Sequence, residues 1–292
     1  MTRHLRHPSR TGCSHRVWVS GISGRGHPGW PGMLALLVPL LAALSPGAQA
    51  ADWSVPGPGL PTVAAAVARA KPGDRIRIAP GVYRERLVLS KALVLEAVVV
   101  PATGGAAGTA ADAAYPVLDG GGIGHVLEIR SPGVVVRGLA VRNSGDTLGQ
   151  SDACIYVHGE ATGTRLLGNR LEDCAFGIWV NGTAGVEVAH NRIRGRPRPI
   201  VSDRGNGINL WQIRHGRIHD NDIAQTRDGV YLSVTRDSEV VNNRMHDLRF
   251  GVHYMYSDQN RVAGNIICDS QVGLALMFSK RLEIRGNAAV RN

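Results

Sequence analysis

Residues 229–292 fall into three rows that open alike: GVYLSVTRDSEVVNNRMHDLRF (229–250), GVHYMYSDQNRVAGNIICDSQV (251–272) and GLALMFSKRLEIRGNAAVRN (273–292). Each row begins with Gly and a short apolar alternation, and Asn243, Asn265 and Asn287 recur at one place in each. The same tetrad appears upstream as GIWV at Gly177 and GINL at Gly207, so the Gly series runs at intervals of 30, 22, 22 and 22. Asn169, Asn191 and Asn221 extend the Asn series at 22, 30 and 22. One insert of eight residues within GRPRPIVSDRG (195–205) accounts for the single 30 in both series. ACIYV at Ala153 and VVVRGLAVRN at Val134 read as divergent copies.

A fixed period of this size denotes a solenoid, and the patterning decides which kind. Val230, Leu232 and Val234 alternate with polar residues, helix-length periodic runs are missing, and a leucine-rich signature does not recur. The expectation is an all-β chain: a parallel β-helix of about 22 residues per coil, with three short strands turned by Gly or Asn, which tolerate left-handed φ. Residues one period apart then stack at the strand spacing of about 4.8 Å. Asn221, Asn243, Asn265 and Asn287 should bond along a turn column. Leu60 to Ala70 has helical character and is expected to cap the N-terminal end. Residues 101–115, rich in Ala, Gly and Thr, read as a loop. At Asn292 the chain stops one strand into a coil with no capping element, which reads as C-terminal truncation.

Composition agrees with this class. Aromatics make up 5% of the chain and Gly numbers 37, so the core rests on Val, Ile, Leu and Ala between tight turns. The formal charge of +10 includes five Arg and no acid in residues 1–50; without them the balance is 28 minus 23, or +5. That surplus is scattered, without a basic run or interleaved aromatics, and argues against a nucleic-acid partner.

MLALLVPLLAALSPGAQA (33–50) has the form of a secretory signal, with cleavage after Ala50 and a domain spanning 51–292. Its apolar core is too short to span a bilayer, although an uncleaved anchor is the rival reading, and translation could begin at Met1 or Met33. Loss of the leader removes Cys13 and leaves Cys154, Cys174 and Cys268, an odd number, so at least one stays outside any internal pair.

With the tetrad Gly as origin, odd offsets face inward and even offsets outward. The inward columns are Ile178, Ile208, Val230, Val252, Leu274 and Val180, Leu210, Leu232, Tyr254, Leu276, with Met245 and Tyr256 also assigned to the inside. Outward lie Trp179, Asn209, Tyr231, His253, Ala275 and Asn181, Trp211, Ser233, Met255, Met277. Met255 and Met277 should therefore sit side by side on the surface with His253 nearby, and Cys268 should stack on His246. Thioether, imidazole and thiolate form a soft donor set suited to Cu(I), so His246, His253, Met255, Cys268 and Met277 are the candidate metal or partner-contact residues. For an acid–base alternative the candidates are Asp228 with Arg227, Asp247 with His246, and Arg249. Asp228 is followed in its column by Phe250 and Val272, so no acidic cluster forms to hold Ca²⁺.

The segments PGDRIRIAPGVYRERLVL, VLDGGGIGHVLEIRSPGVVVRGL, RDGVYLSVTRD, NRMHDLRFGVHYMYSDQN and VGLALMFS carry a resemblance to the NosD family over Leu60 to Asn292. The first two are common to many β-helix proteins; the last three are particular. The resemblance implies a right-handed parallel β-helix, exported to the periplasm and docked on an ABC-type membrane transporter. It further implies work with a lipoprotein copper chaperone in supplying copper to nitrous oxide reductase, contact with the membrane only through partners, and family members that run past residue 292. On this reading the protein is a non-enzymatic maturation factor with no tightly bound cofactor and transient Cu(I). A polysaccharide lyase or epimerase, or a structural or adhesive solenoid, are the alternatives.

Overall fold

The computed structural model describes residues 50–98 and 115–292. The leader through residue 49, Cys13 and most of the Ala/Gly/Thr-rich stretch lie outside the described residues. The described residues wind through three sheets of ten, eight and nine strands. One coil shows the pattern. Phe250–Met255 lies in the second sheet, Arg261–Ala263 in the first and Ile266–Cys268 in the third, before Val272–Met277 returns to the second. Neighbouring coils pair in parallel at the sequence period, Val252 with Leu274 and Met255 with Met277. This is a parallel β-helix.

The inward columns form its core. Ile178, Ile208, Val230, Val252, Val180, Leu210, Leu232 and Tyr254 are fully buried, and each of the aliphatic side chains contributes about 1.5–3 kcal/mol of apolar transfer. In the last row the cover thins, with Leu274 partly buried and Leu276 exposed. Met245 is buried in the column with Ile223 and Ile267.

Tyr254 brings a hydroxyl into this core, and among the described residues its Oη has no partner. Burial pushes the phenol's pKa far up, so the group stays neutral. Tyr254→Phe is therefore expected to stabilise the protein by about 1–2 kcal/mol, since it removes an unmatched polar atom and keeps the ring. Chemical denaturation checks this; a clear loss of stability would mean that the hydroxyl has a partner.

The Asn column bonds as its spacing implies. In each of Asn169, Asn191, Asn221, Asn243 and Asn265, the backbone N–H and Nδ2 both donate to Oδ1 of the Asn one coil on, at 2.9–3.0 Å. Nδ2 also reaches a backbone carbonyl from an earlier coil, as from Asn243 to Ile218. A corner buried without these amides would leave orphaned backbone groups.

The reason for the tetrad Gly differs from the expected one. Gly251 does not have positive φ; a Cβ there would stand 2.7 Å from the Gly273 carbonyl oxygen and 2.7 Å from Ile267 methyls. Close approach of successive coils excludes a side chain. Left-handed φ falls instead on the residue before each ladder Asn: Gly168, His190, Asp220, Asn242, Gly264 and Gly286.

The N-terminal helix α1, Val63–Arg69, is shorter than the helical stretch expected from sequence. Thr62 Oγ1 and the Glu85 carboxylate accept from its first amides, and Lys91 Nζ donates to the carbonyls of Val67, Ala68 and Ala70. Charges of the right sign thus sit at both ends. Cys154 and Cys174 form a disulfide, and Cys268 stands buried outside it.

Candidate functional site

The alternation of the second sheet breaks at the tetrad Gly. The residue just before Gly meets the outward residue three positions later: Phe176 packs edge-on against Trp179, Asn206 Nδ2 donates to Asn209 Oδ1, and Phe250 packs edge-on against His253. Asp228, at the same position as Phe250, consequently joins the outer layer although strict alternation turns it inward.

Here the structure corrects the reading of His253 as solvent-facing. It is buried, covered by the rings of Tyr231 and Phe250 at 4.8 and 4.9 Å between centroids. Its Nδ1 lies 3.0 Å from Asp228 Oδ2. Asp228 is itself fully buried and accepts from Arg249 through Nε at 2.9 Å and Nη2 at 2.7 Å, with Arg227 Nε at 3.8 Å. Burial alone would raise the Asp228 pKa, but the hydrogen bonds from His253 and Arg249 and the charges of Arg249 and Arg227 outweigh it and hold the carboxyl below its ordinary range. An ionised carboxylate can only accept, so His253 Nδ1 carries the proton. In the neutral ring Nε2 keeps its lone pair, and that atom is buried with no partner among the described residues. A carboxylate behind one imidazole nitrogen, with the other left to bind, is the usual support of a metal-ligating histidine.

Met255 and Met277 are register partners beside it, Met255 half-buried and Met277 exposed. Cα spacing across paired strands is about 4.8 Å, which puts the two thioethers within reach of one ion. His253 stands two residues before Met255 on the same outer face.

His246 and Cys268 are also register partners, but in the third sheet, apart from the Met pair. The His246 ring lies between acids, Nδ1 at 3.5 Å from Asp247 Oδ2 and Nε2 at 4.0 Å from Asp222 Oδ1. Cys268 is 1% exposed. The five candidates therefore split into a pair of Met with a buried His on one sheet and a His beside a covered Cys on another. Tyr256, assigned to the inside, is exposed at 57% and stacks on Phe278, because the strand ends at Met255 and φ turns positive at Tyr256.

The eight-residue insert sits beside this layer. Arg196 Nη1 reaches Asp146 Oδ1 at 2.6 Å, Arg198 also pairs with Asp146, and Arg204 Nη1 reaches the Asp247 carbonyl at 3.4 Å. It ties together coils that do not touch directly.

Residues 189–292 match the family model described as "Periplasmic copper-binding protein (NosD)". The chain is 37% identical over 191 residues to a "Probable ABC transporter binding protein NosD" of Pseudomonas aeruginosa, a match covering 65% of this chain and 40% of that protein. A Stutzerimonas stutzeri protein of the same description is 33% identical over 113 residues, covering 39% of this chain and 26% of that protein. The chain thus spans well under half the length of either relative. Among solved structures, the catalytic unit of a GH87 α-1,3-glucanase from Streptomyces thermodiastaticus matches with a TM-score of 0.60 at 17% identity, over 84% of this chain and 47% of that one. A pectin methylesterase bound to a hexasaccharide matches at 0.52 and 13% identity, over 76% and 80%. At such identities these two share the fold alone. The Met- and His-bearing coils match the family model, and the curated relatives carry the same NosD name, so this chain is similar to proteins of the NosD family.

Proposed function

We propose that this chain is the solenoid of a periplasmic NosD-type accessory protein, which associates with an ABC-type transporter and presents Cu(I) on the outer face of its second sheet. The copper is cargo, received from a lipoprotein chaperone and destined for copper-site assembly in nitrous oxide reductase. The observation that carries the reading is the stacked Met255–Met277 pair beside His253, whose Nε2 has no partner among the described residues and whose Nδ1 is held by ionised Asp228. Two thioethers and one neutral imidazole suit Cu(I) better than any harder ion. For Nε2 to reach the ion, the ring of Tyr231 or Phe250 must swing aside. His246 and Cys268 form a separate pair and are left out of this ligand set. The Cys154–Cys174 disulfide fits an exported, oxidising setting.

The polysaccharide-enzyme alternative loses support from the same geometry: Asp228, its leading acid, is fully buried and tied to Arg249. No helix among the described residues is long and apolar enough to cross a membrane.

Cu(I) titration of the chain under reducing conditions tests the proposal. Met255→Leu with Met277→Leu, which keeps volume and removes both sulfurs, is expected to abolish the tight site. Asp228→Asn should weaken it by about tenfold through the loss of His253 orientation. Unchanged affinity and stoichiometry in the double Leu variant would sink the ligand assignment.

A further inference from the structure

The corner between the first and third sheets carries a second group of donors, chemically unlike the first. One ligand atom from each of His190, His219 and Asp220 lies within 4.8 Å of the other two. The ladder brings them there. His190 precedes Asn191 and Asp220 precedes Asn221, both with left-handed φ, and the Asn191–Asn221 bond fixes one corner on the next. His219 is paired with Ala189 across the same two coils.

His219 lies between two carboxylates: Nδ1 is 2.7 Å from Asp220 Oδ2 and Nε2 is 3.2 Å from Glu187 Oε1. Glu187 also accepts from Arg165 Nε at 2.7 Å, which fixes its carboxylate behind His219. The His190 ring stands edge-on to His219 with centroids 5.7 Å apart and adds a third donor.

We propose that His190, His219 and Asp220 form a site for a divalent first-row cation, Zn²⁺ or Cu²⁺, with Glu187 orienting His219 from behind. Two imidazoles and one carboxylate are a borderline N/O set that suits these ions rather than Cu(I), Ca²⁺ or Mg²⁺. Donor atoms around a tetrahedral ion with 2.0–2.1 Å bonds stand roughly 3.3 Å apart, so a gap at the 4.8 Å limit closes by about 1.5 Å and the 2.7 Å His219–Asp220 contact opens by about 0.6 Å. The exposed side chains of His190 and Asp220 have room to do so, and solvent completes the shell. This site does not depend on the Cu(I) face of the second sheet.

The test is calorimetric titration of the full chain with Zn²⁺. His4, His7, His15 and His27 in the leader also offer donors, so the readout is the change in equivalents bound. His219→Gln, and separately His190→Asn, which keeps a residue that tolerates left-handed φ, are each expected to remove one equivalent. Glu187→Ala should lower the affinity of that equivalent roughly 10–100-fold. Met255→Leu with Met277→Leu should leave Zn²⁺ binding unchanged, which separates this site from the Cu(I) proposal. Equal Zn²⁺ stoichiometry in wild type, His190→Asn and His219→Gln, with all three folded by circular dichroism, would overturn the assignment.

Discussion

Arg249→Ala is expected to destabilise the protein by about 3 kcal/mol at neutral pH, the lower part of the range for breaking a buried ion pair. The lower part applies because the Arg249 side chain is 28% exposed, whereas Asp228 is fully buried and would keep only His253 and the more distant Arg227. The pH dependence identifies the cause. A carboxylate whose folded pKa is depressed contributes stability above the unfolded value of about 3.9, and that stability is lost as pH falls through the folded pKa. Wild type and Arg249→Ala should therefore differ most near pH 7 and converge once Asp228 is protonated in both. Denaturant titrations at several pH values give the comparison. A difference that persists unchanged into strong acid would assign the loss to stacking of the Arg249 guanidinium on the Phe250 ring rather than to the pair with Asp228.

Asn243→Ala should cost a similar amount, about 3 kcal/mol, without charge. Its Oδ1 receives two bonds from Asn221, and its Nδ2 serves Ile218 and Asn265. The substitution strands the buried Asn221 N–H, worth about 1–3 kcal/mol when unmet, and also removes the side-chain bond to the Ile218 carbonyl. Asn287→Ala, at a part-buried place in the last row, should cost clearly less. Amide exchange reports the damage locally, with Asn221 losing most protection. If Asn243→Ala loses less than about 1 kcal/mol, water enters the corner and replaces the amide.

What the sequence made legible was whatever repeats. The 22-residue interval placed Met255 on Met277, His246 on Cys268 and each ladder Asn on the next, because register in a stacked coil is simple addition. Strand alternation named the core columns for the same reason. It failed for Tyr256, where the backbone leaves the strand, and for Asp228 and His253 inside their strands: alternation states a side, while burial depends on what lies over that side. The signal for Asp228 existed, since Phe176 and Asn206 occupy its column and also meet the outward residue three places on. The Cys154–Cys174 pair was hidden because its spacing of 20 is not a full period. His190 and Asp220 were hidden because the insert stretches their interval to 30.

The same disulfide has a mechanical consequence. It closes a covalent ring over a separation of 20 residues, nearly one full coil, part-way along the solenoid. A chain pulled from its ends would release each ordinary coil as slack. This one withholds roughly 70 Å of contour, at about 3.3–3.6 Å per residue, until the bond is reduced.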